Sequence, residues 1–194
     1  KSVTMLNLSL NLLMQKLNGI YFTFELAEKV VSKRMDSMIS KISQMEILRN
    51  ISKVAIEVEK ASENLGHFYV KRMAESVTNI NHVRAYLKEF QQKHGYTPDF
   101  IVLDYLDLMA STQKISAENL FVKDKYIAEE VRSLGFEFDC LIISASQLGR
   151  CLTIDSLVIM EDGSTKVLKD IEIGDKIKTD NGYNSVLAKT EISK

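Results

Sequence analysis

An open α/β domain with a mainly parallel sheet, followed by a separate all-β segment, is the architecture this sequence predicts. Up to residue 150, apolar runs of strand length alternate with helical patterns in the order α β α α β α β α β. The runs at 99–103 and 139–144 are apolar almost throughout, as strands covered on both faces must be. From Cys151 onward, short alternating strands are punctuated by Asp162-Gly163, Ile173-Gly174-Asp175 and Asn181-Gly182. The predicted boundary lies between Arg150 and Cys151, giving a three-layer α/β domain over 1–150 and a smaller β piece over 151–194.

Taking the elements in order, Val3, Leu6, Leu10, Leu13 and Leu17 recur at spacings of three and four and predict a helix over 2–17, ended by Asn18-Gly19. Residues 20–24 are a β-branched and aromatic run that delivers Glu25 to its carboxyl end. Val30, Val31, Met35, Met38, Ile39 and Ile42 share one face of the next helix, and a polar-faced helix covers 45–64 up to Gly66. Residues 67–71 form a short strand, Asn81 caps a helix over 83–93, and Gly95 ends it. The strand at 99–103 runs out at Asp104. After a polar loop at 110–119, a helix covers 120–134 up to Gly135, and 139–144 is the last strand of the sheet. The methionines between 35 and 45 read as core filler, Cys140 as a buried small hydrophobe, and His67, His82 and His94 have no metal-ligand spacing.

The bulk properties narrow the class. With 45% hydrophobic and 26% charged residues the chain is neither disordered nor fibrous. A net charge of −1 excludes a uniformly basic surface but leaves room for a local basic loop. There is no apolar run near 18 residues and no signal peptide, which predicts no membrane span. Two Cys form no disulfide framework, and a reducing, cytoplasmic setting is expected.

In open parallel sheets, ligands lie beyond the carboxyl ends of the strands. Glu25, Asp104 and Gln147 all fall there. Any one of them alone reads as a solvated loop residue; three at three strand ends point to one site. The chain also opens on Lys1-Ser2 followed directly by a helix, which are the last two positions of the phosphate loop G-x-x-x-x-G-K-[ST]. That dipeptide carries weight only together with Asp104, because an acid at the end of a hydrophobic strand is the usual second half of the same metal site.

Taken with their spacing, Phe22-Thr-Phe-Glu25-Leu-Ala-Glu-Lys-Val-Val-Ser-Lys-Arg34, Phe100-Ile-Val-Leu-Asp104-Tyr-Leu-Asp-Leu and Ile143-Ser-Ala-Ser-Gln147-Leu-Gly-Arg150 resemble the motor domain of DnaB-type hexameric replicative helicases, most closely the tailed-phage branch. The resemblance covers roughly 1–150 and implies a RecA-like, P-loop sandwich that hydrolyses ATP with Mg²⁺. It implies that Lys1 and Ser2 bind the phosphates and the metal, that Glu25 polarises the attacking water, that Asp104 organises the metal and that Gln147 senses the γ-phosphate. It further implies a homo-hexamer gripping single-stranded DNA through the loop at 110–119, where Lys114 is the only base, and through the segment after Gln147. The glycine-rich part of the phosphate loop, the strand before it and the arginine finger are absent from this sequence, so the chain is expected to be a fragment that is inactive as it stands.

From Cys151 the sequence resembles the N-terminal block of an intein of the Hint fold, with a leading Cys, a first short strand, a turn and Ile173-Gly174-Asp175. The resemblance implies that the Cys151 thiol attacks the carbonyl of Arg150, exchanging an amide for a thioester. The Thr-x-x-His block, the terminal Asn and the downstream nucleophile of that family are missing, so splicing is expected only when the remainder is supplied. The expected whole is a replicative helicase interrupted by the first part of an intein. The alternative is a RecA-like DNA-binding or regulatory ATPase with a small β appendage.

Overall fold

The computed structural model describes residues 1–113, 120–146, 155–179 and 181–188, and the chain divides into two compact units, Lys1–Gln147 and Leu148–Lys194. The first is built in the order α1 (Ser2–Leu13), β1 (Gly19–Thr23), α2 (Glu28–Ser40), α3 (Ile51–Ser62), β2 (Phe68–Arg72), α4 (Ile80–His94), β3 (Phe100–Asp104), α5 (Leu120–Phe138) and β4 (Leu141–Ser144). All four strands are parallel, in the order β2-β1-β3-β4.

The two inner strands, β1 and β3, are buried at every residue, which explains their unbroken apolar character. Alternate side chains go to opposite layers. Ile20, Phe22, Ile101 and Leu103 pack with Val83, Leu87 and Phe90 of α4 and with Ile127, Val131 and Leu134 of α5. Tyr21, Phe100 and Val102 pack with Met5, Leu6 and Leu13 of α1 and with Val31 and Met35 of α2. This period of two decides which residues can reach the site.

Several local expectations are corrected. Within the described sheet β4 is an edge strand, none of its residues is fully buried and Leu141 is exposed, so 141–144 is not the doubly covered strand expected over 139–144. In α1 the buried set is Met5, Leu6, Ser9 and Leu13, while Val3 faces outward; the Ser9 hydroxyl is satisfied by donating to the Met5 carbonyl at 2.8 Å. In α2 only Val31 and Met35 are fully buried, and Val30 turns outward. Met45 is 91% exposed and fills no core. The cap of α4 is Asn79, whose side chain accepts from the Asn81 amide while the His82 ring accepts from the Asn79 amide. That reciprocal box starts the helix three residues earlier than expected. Finally, α5 runs through Gly135 to Phe138. A Cβ at Gly135 would lie 3.3 Å from the Cys140 carbonyl and 3.5 Å from Ile142, so this glycine permits close packing of helix on strand rather than ending the helix. Cys140 is half-buried rather than buried, and burial pushes its thiol up to about 11.

The second unit contains two antiparallel hairpins, β5 (Leu157–Ile159) with β6 (Thr165–Val167) and β7 (Lys176–Thr179) with β8 (Gly182–Ser185). The first closes through Asp162-Gly163, with Gly163 at φ +80°. A bridge between Met160 and Ile177 ties the hairpins together. In the Ile173-Gly174-Asp175 motif, Gly174 takes φ +97°, a left-handed conformation that favours glycine. Asp175 Oδ2 accepts from the Glu172 amide at 2.9 Å and from Lys166 Nζ at 2.8 Å.

This packing makes two positions testable. A methyl at Gly66 would sit 2.0 Å from the Leu17 carbonyl oxygen, and backbone cannot yield as a side chain can. Gly66→Ala should therefore lower the unfolding free energy by about 1–3 kcal/mol in denaturant titration. In the second unit, the hydrogen bond from Lys166 holds the Asp175 carboxyl below the usual carboxylate range. Its stabilisation is present above the unfolded-state pKa and is lost as pH falls through the depressed folded value. Lys166→Met should return the Asp175 carboxyl toward its ordinary range in an NMR titration.

Candidate functional site

The carboxyl ends of β1 and β3 finish side by side, with Thr23 opposite Asp104. Beyond Thr23 the chain is held in a tight turn: the Thr23 hydroxyl accepts from the Leu26 amide and donates to the Leu26 carbonyl, both at 3.0 Å. The Phe24 amide donates to the Asp104 carbonyl, and the Met73 amide donates to the Thr23 carbonyl. Glu25 projects from this pinned turn and is exposed. It is fixed by backbone on both sides, which is what a residue that must orient a small reactant needs.

Asp104 is 2% exposed. Its Oδ2 accepts from the Tyr21 hydroxyl at 2.6 Å, whereas its Oδ1 is buried with no hydrogen-bond partner. Tyr21 belongs to the layer covered by α1, and Ser2, the first residue of α1, acts on the Tyr21 phenol in the opposite sense to Asp104. Burial raises the Tyr21 phenol, and the Asp104 carboxylate raises it further, so the proton stays on Tyr21.

Lys1 Nζ lies over the Tyr105 ring, 4.6 Å from its centroid. Burial raises the Tyr105 phenol, and the carboxylates of Glu25, Asp107, Asp104 and Glu75 act in the same direction. Tyr105 thus follows Asp104 directly, carries Lys1 over its ring, and feels the Glu25 carboxylate. The end of β4 is fastened to the same place: Ser144 Oγ donates to the Leu103 carbonyl at 2.6 Å, the Leu106 amide to the Ala145 carbonyl, and Ser146 Oγ to Asp107 Oδ1 at 2.8 Å. Gln147, Cys151, Lys114 and Arg150 lie outside the described residues.

Among the described residues no cluster of three or more His, Cys, Asp or Glu could hold a metal by itself. Mg²⁺ bound with phosphates needs only one or two protein groups, the rest of its octahedron being phosphate oxygen and water. The buried, orphaned Asp104 Oδ1 fits that requirement. Sequence reasoning missed Tyr21 and Tyr105. Tyr105 carried a signal, since it directly follows Asp104; Tyr21 lay hidden in a run of strand-forming residues.

This geometry is that of an open parallel α/β domain with polar groups at the carboxyl ends of its inner strands. The chain belongs to the DnaB-like helicase C-terminal domain family, matched over residues 1–156. It is 30% identical over 168 residues to the DnaB-like replicative helicase of Enterobacteria phage T4, an alignment covering 84% of this chain and 35% of that protein. The chain thus spans about a third of that relative's length. Two solved structures share the fold, each with a TM-score of 0.62. One is a DnaB-like replicative helicase studied for its interactions with primase (16% identity, 76% of this chain, 36% of that one). The other is an ATPase domain (17% identity, 77% of this chain, 54% of that one). No helix among the described residues is long and apolar enough to cross a membrane.

Proposed function

We propose that residues 1–150 are part of the ATP-hydrolysing motor of a replicative DNA helicase, working as a homo-hexamer on single-stranded DNA in the cytoplasm. Residues 151–194 are the N-terminal part of an intein interrupting that motor. The observation that carries the first half is the buried Asp104, with one oxygen bonded to Tyr21 and the other without a partner, next to Tyr105, whose ring Lys1 covers.

Phosphoryl transfer from ATP is catalysed mainly by positioning and charge neutralisation. Lys1 brings a positive charge to the end of the site, and the amide groups at the start of α1 offer donors to phosphate oxygens. Ser2 and Asp104 would hold Mg²⁺, which would supply positive charge against the terminal phosphates. Glu25, exposed on its pinned turn, accepts a hydrogen from the attacking water and aims its lone pair. Gln147 follows directly on the segment tied to Asp107 and senses the γ-phosphate.

For the second half, the support is the change in sequence character at Cys151 and the Ile173-Gly174-Asp175 turn. The Cys151 sulfur attacks the Arg150 carbonyl carbon, the peptide C–N bond breaks, and the Cys151 amine leaves with a proton as the thioester forms. A second reading, a RecA-like regulatory ATPase with a β appendage and no splicing, draws on the family match, which runs six residues past Arg150.

In a version carrying a complete glycine-rich phosphate loop ahead of Lys1, Glu25→Gln should lower ATP turnover by about 10²–10⁴-fold while nucleotide affinity is kept. Full turnover by the variant would remove Glu25 from its role. In a version completed with the Thr-x-x-His block, the terminal Asn and the downstream nucleophile, mass spectrometry should find joined flanks and a freed element. Cys151→Ala should leave only the precursor, and equal yields from both would favour the appendage reading.

A further inference from the structure

We propose that Tyr21 is a positioning residue that makes Asp104 a one-oxygen metal ligand, and that it thereby sets the preference of this site for Mg²⁺ over larger cations such as Ca²⁺. This rests on the reading of Ser2 and Asp104 as the metal-binding pair, and it concerns a residue outside that pair.

The starting point is strand parity. Tyr21 and Asp104 lie on neighbouring parallel strands, in register with Val102 and Thr23 respectively. Tyr21 and Val102 face the α1 layer, and Asp104, two residues after Val102, shares that parity. The Tyr21 ring is fully buried and its only polar atom lies 2.6 Å from Asp104 Oδ2. A phenylalanine would fill the same apolar space, so the hydroxyl is the part of Tyr21 that packing does not require.

A phenol has one hydrogen to donate, and Asp104 Oδ2 accepts it. One consequence follows for a cation: Asp104 Oδ2 is engaged, which leaves only Oδ1, the buried atom with no partner.

A carboxylate restricted to one oxygen suits Mg²⁺, which demands six ligands in near-ideal octahedral geometry and tolerates a bidentate carboxylate poorly. Ca²⁺ takes six to eight oxygens and gains from bidentate Asp or Glu. By engaging Oδ2, Tyr21 withholds the second oxygen that Ca²⁺ would use. Freed of the phenol, the Asp104 carboxylate can rotate and chelate with both oxygens.

The test uses Mn²⁺ alone as a paramagnetic probe, on the full chain and on its Tyr21→Phe and Asp104→Asn variants. Electron paramagnetic resonance counts bound Mn²⁺, and Mg²⁺ or Ca²⁺ is added as competitor. In the unaltered chain Mg²⁺ should displace Mn²⁺ at lower concentration than Ca²⁺. In Tyr21→Phe the ratio of the two displacing concentrations should move toward Ca²⁺ by about tenfold, the size of one hydrogen bond to a charged group. A ratio unchanged in Tyr21→Phe, with Mn²⁺ affinity lost in Asp104→Asn, overturns this proposal alone. Mn²⁺ affinity unaffected by Asp104→Asn, or absent from the unaltered chain, overturns the metal-pair reading and this proposal with it. If Tyr21→Phe does not fold, the proton resonance of the Tyr21 hydroxyl in the unaltered chain supplies the second measurement. It should shift with added Mg²⁺ and respond less to equal Ca²⁺; no shift, or an equal one, overturns the proposal.

Discussion

The hydrogen bond from Tyr21 to Asp104 is the constraint on which the site depends, because it lets a carboxylate exist inside a layer that is otherwise apolar. Phe100, Val102, Met5 and Leu6 surround that layer, and both partners are almost inaccessible to water. A carboxylate buried without a donor costs several kcal/mol, in rough terms, and ordinarily protonates or moves out. One charge-assisted hydrogen bond returns about 1.5–3 kcal/mol of that. The other oxygen, Oδ1, stays unsatisfied, so Asp104 retains an unmet demand for positive charge. A group in that condition is stabilised by whatever cation or donor reaches it. The fold and the chemistry are thus linked through one atom.

That atom is available because β1 and β3 are inner strands. An edge strand such as β2, whose residues are only partly buried, would have let water satisfy the same carboxylate. Placement of the acid on β3, between β1 and β4, removes water and puts three neighbouring strand ends within reach of one another. The lateral spacing of strands, about 4.8 Å, then fixes the separation of groups at those ends. A terminal phosphate, its metal and one water span distances of that order. Open parallel sheets carry their sites at this end for that reason.

Much of this is legible in the sequence. The runs around 20–24 and 99–103 are apolar because both faces are covered, and each observed strand of the sheet lies within a residue or two of its expected place. Glu25 and Asp104 can be picked out because polar residues closing such runs are conspicuous. Register is not legible, and with it goes Tyr21: a tyrosine in an aromatic strand reads as filler until the neighbouring strand and its phase are known. The cap of α4 misleads because Asn79 and Asn81 are chemically equal candidates, and only His82, reaching back to the Asn79 amide, separates them. Gly135 reads as a stop, yet space against Cys140 and Ile142 is what the chain needs there. In each case tertiary contact overrides a local signal that points elsewhere.

The second unit obeys different physics. Among its described residues Ile171 is the one buried apolar side chain, while Leu157, Ile173 and Leu187 are each more than half exposed. Hairpins of three- and four-residue strands are marginal by themselves. What orders them is largely polar: the Asp175 carboxylate joins the Glu172 amide to Lys166, and Lys176 meets Glu161 at 3.0 Å where the two hairpins adjoin. Asp175 accordingly does for its turn what Tyr21 does for Asp104, since one polar group ties together separate segments of the chain. The difference is solvent. Around Asp175 water competes for every partner and salt screens the charge, so the arrangement holds a shape without storing an unmet demand. Around Asp104 no water competes, and the demand remains directed at one place. Of these two carboxylates, only Asp104 keeps a buried oxygen without a partner.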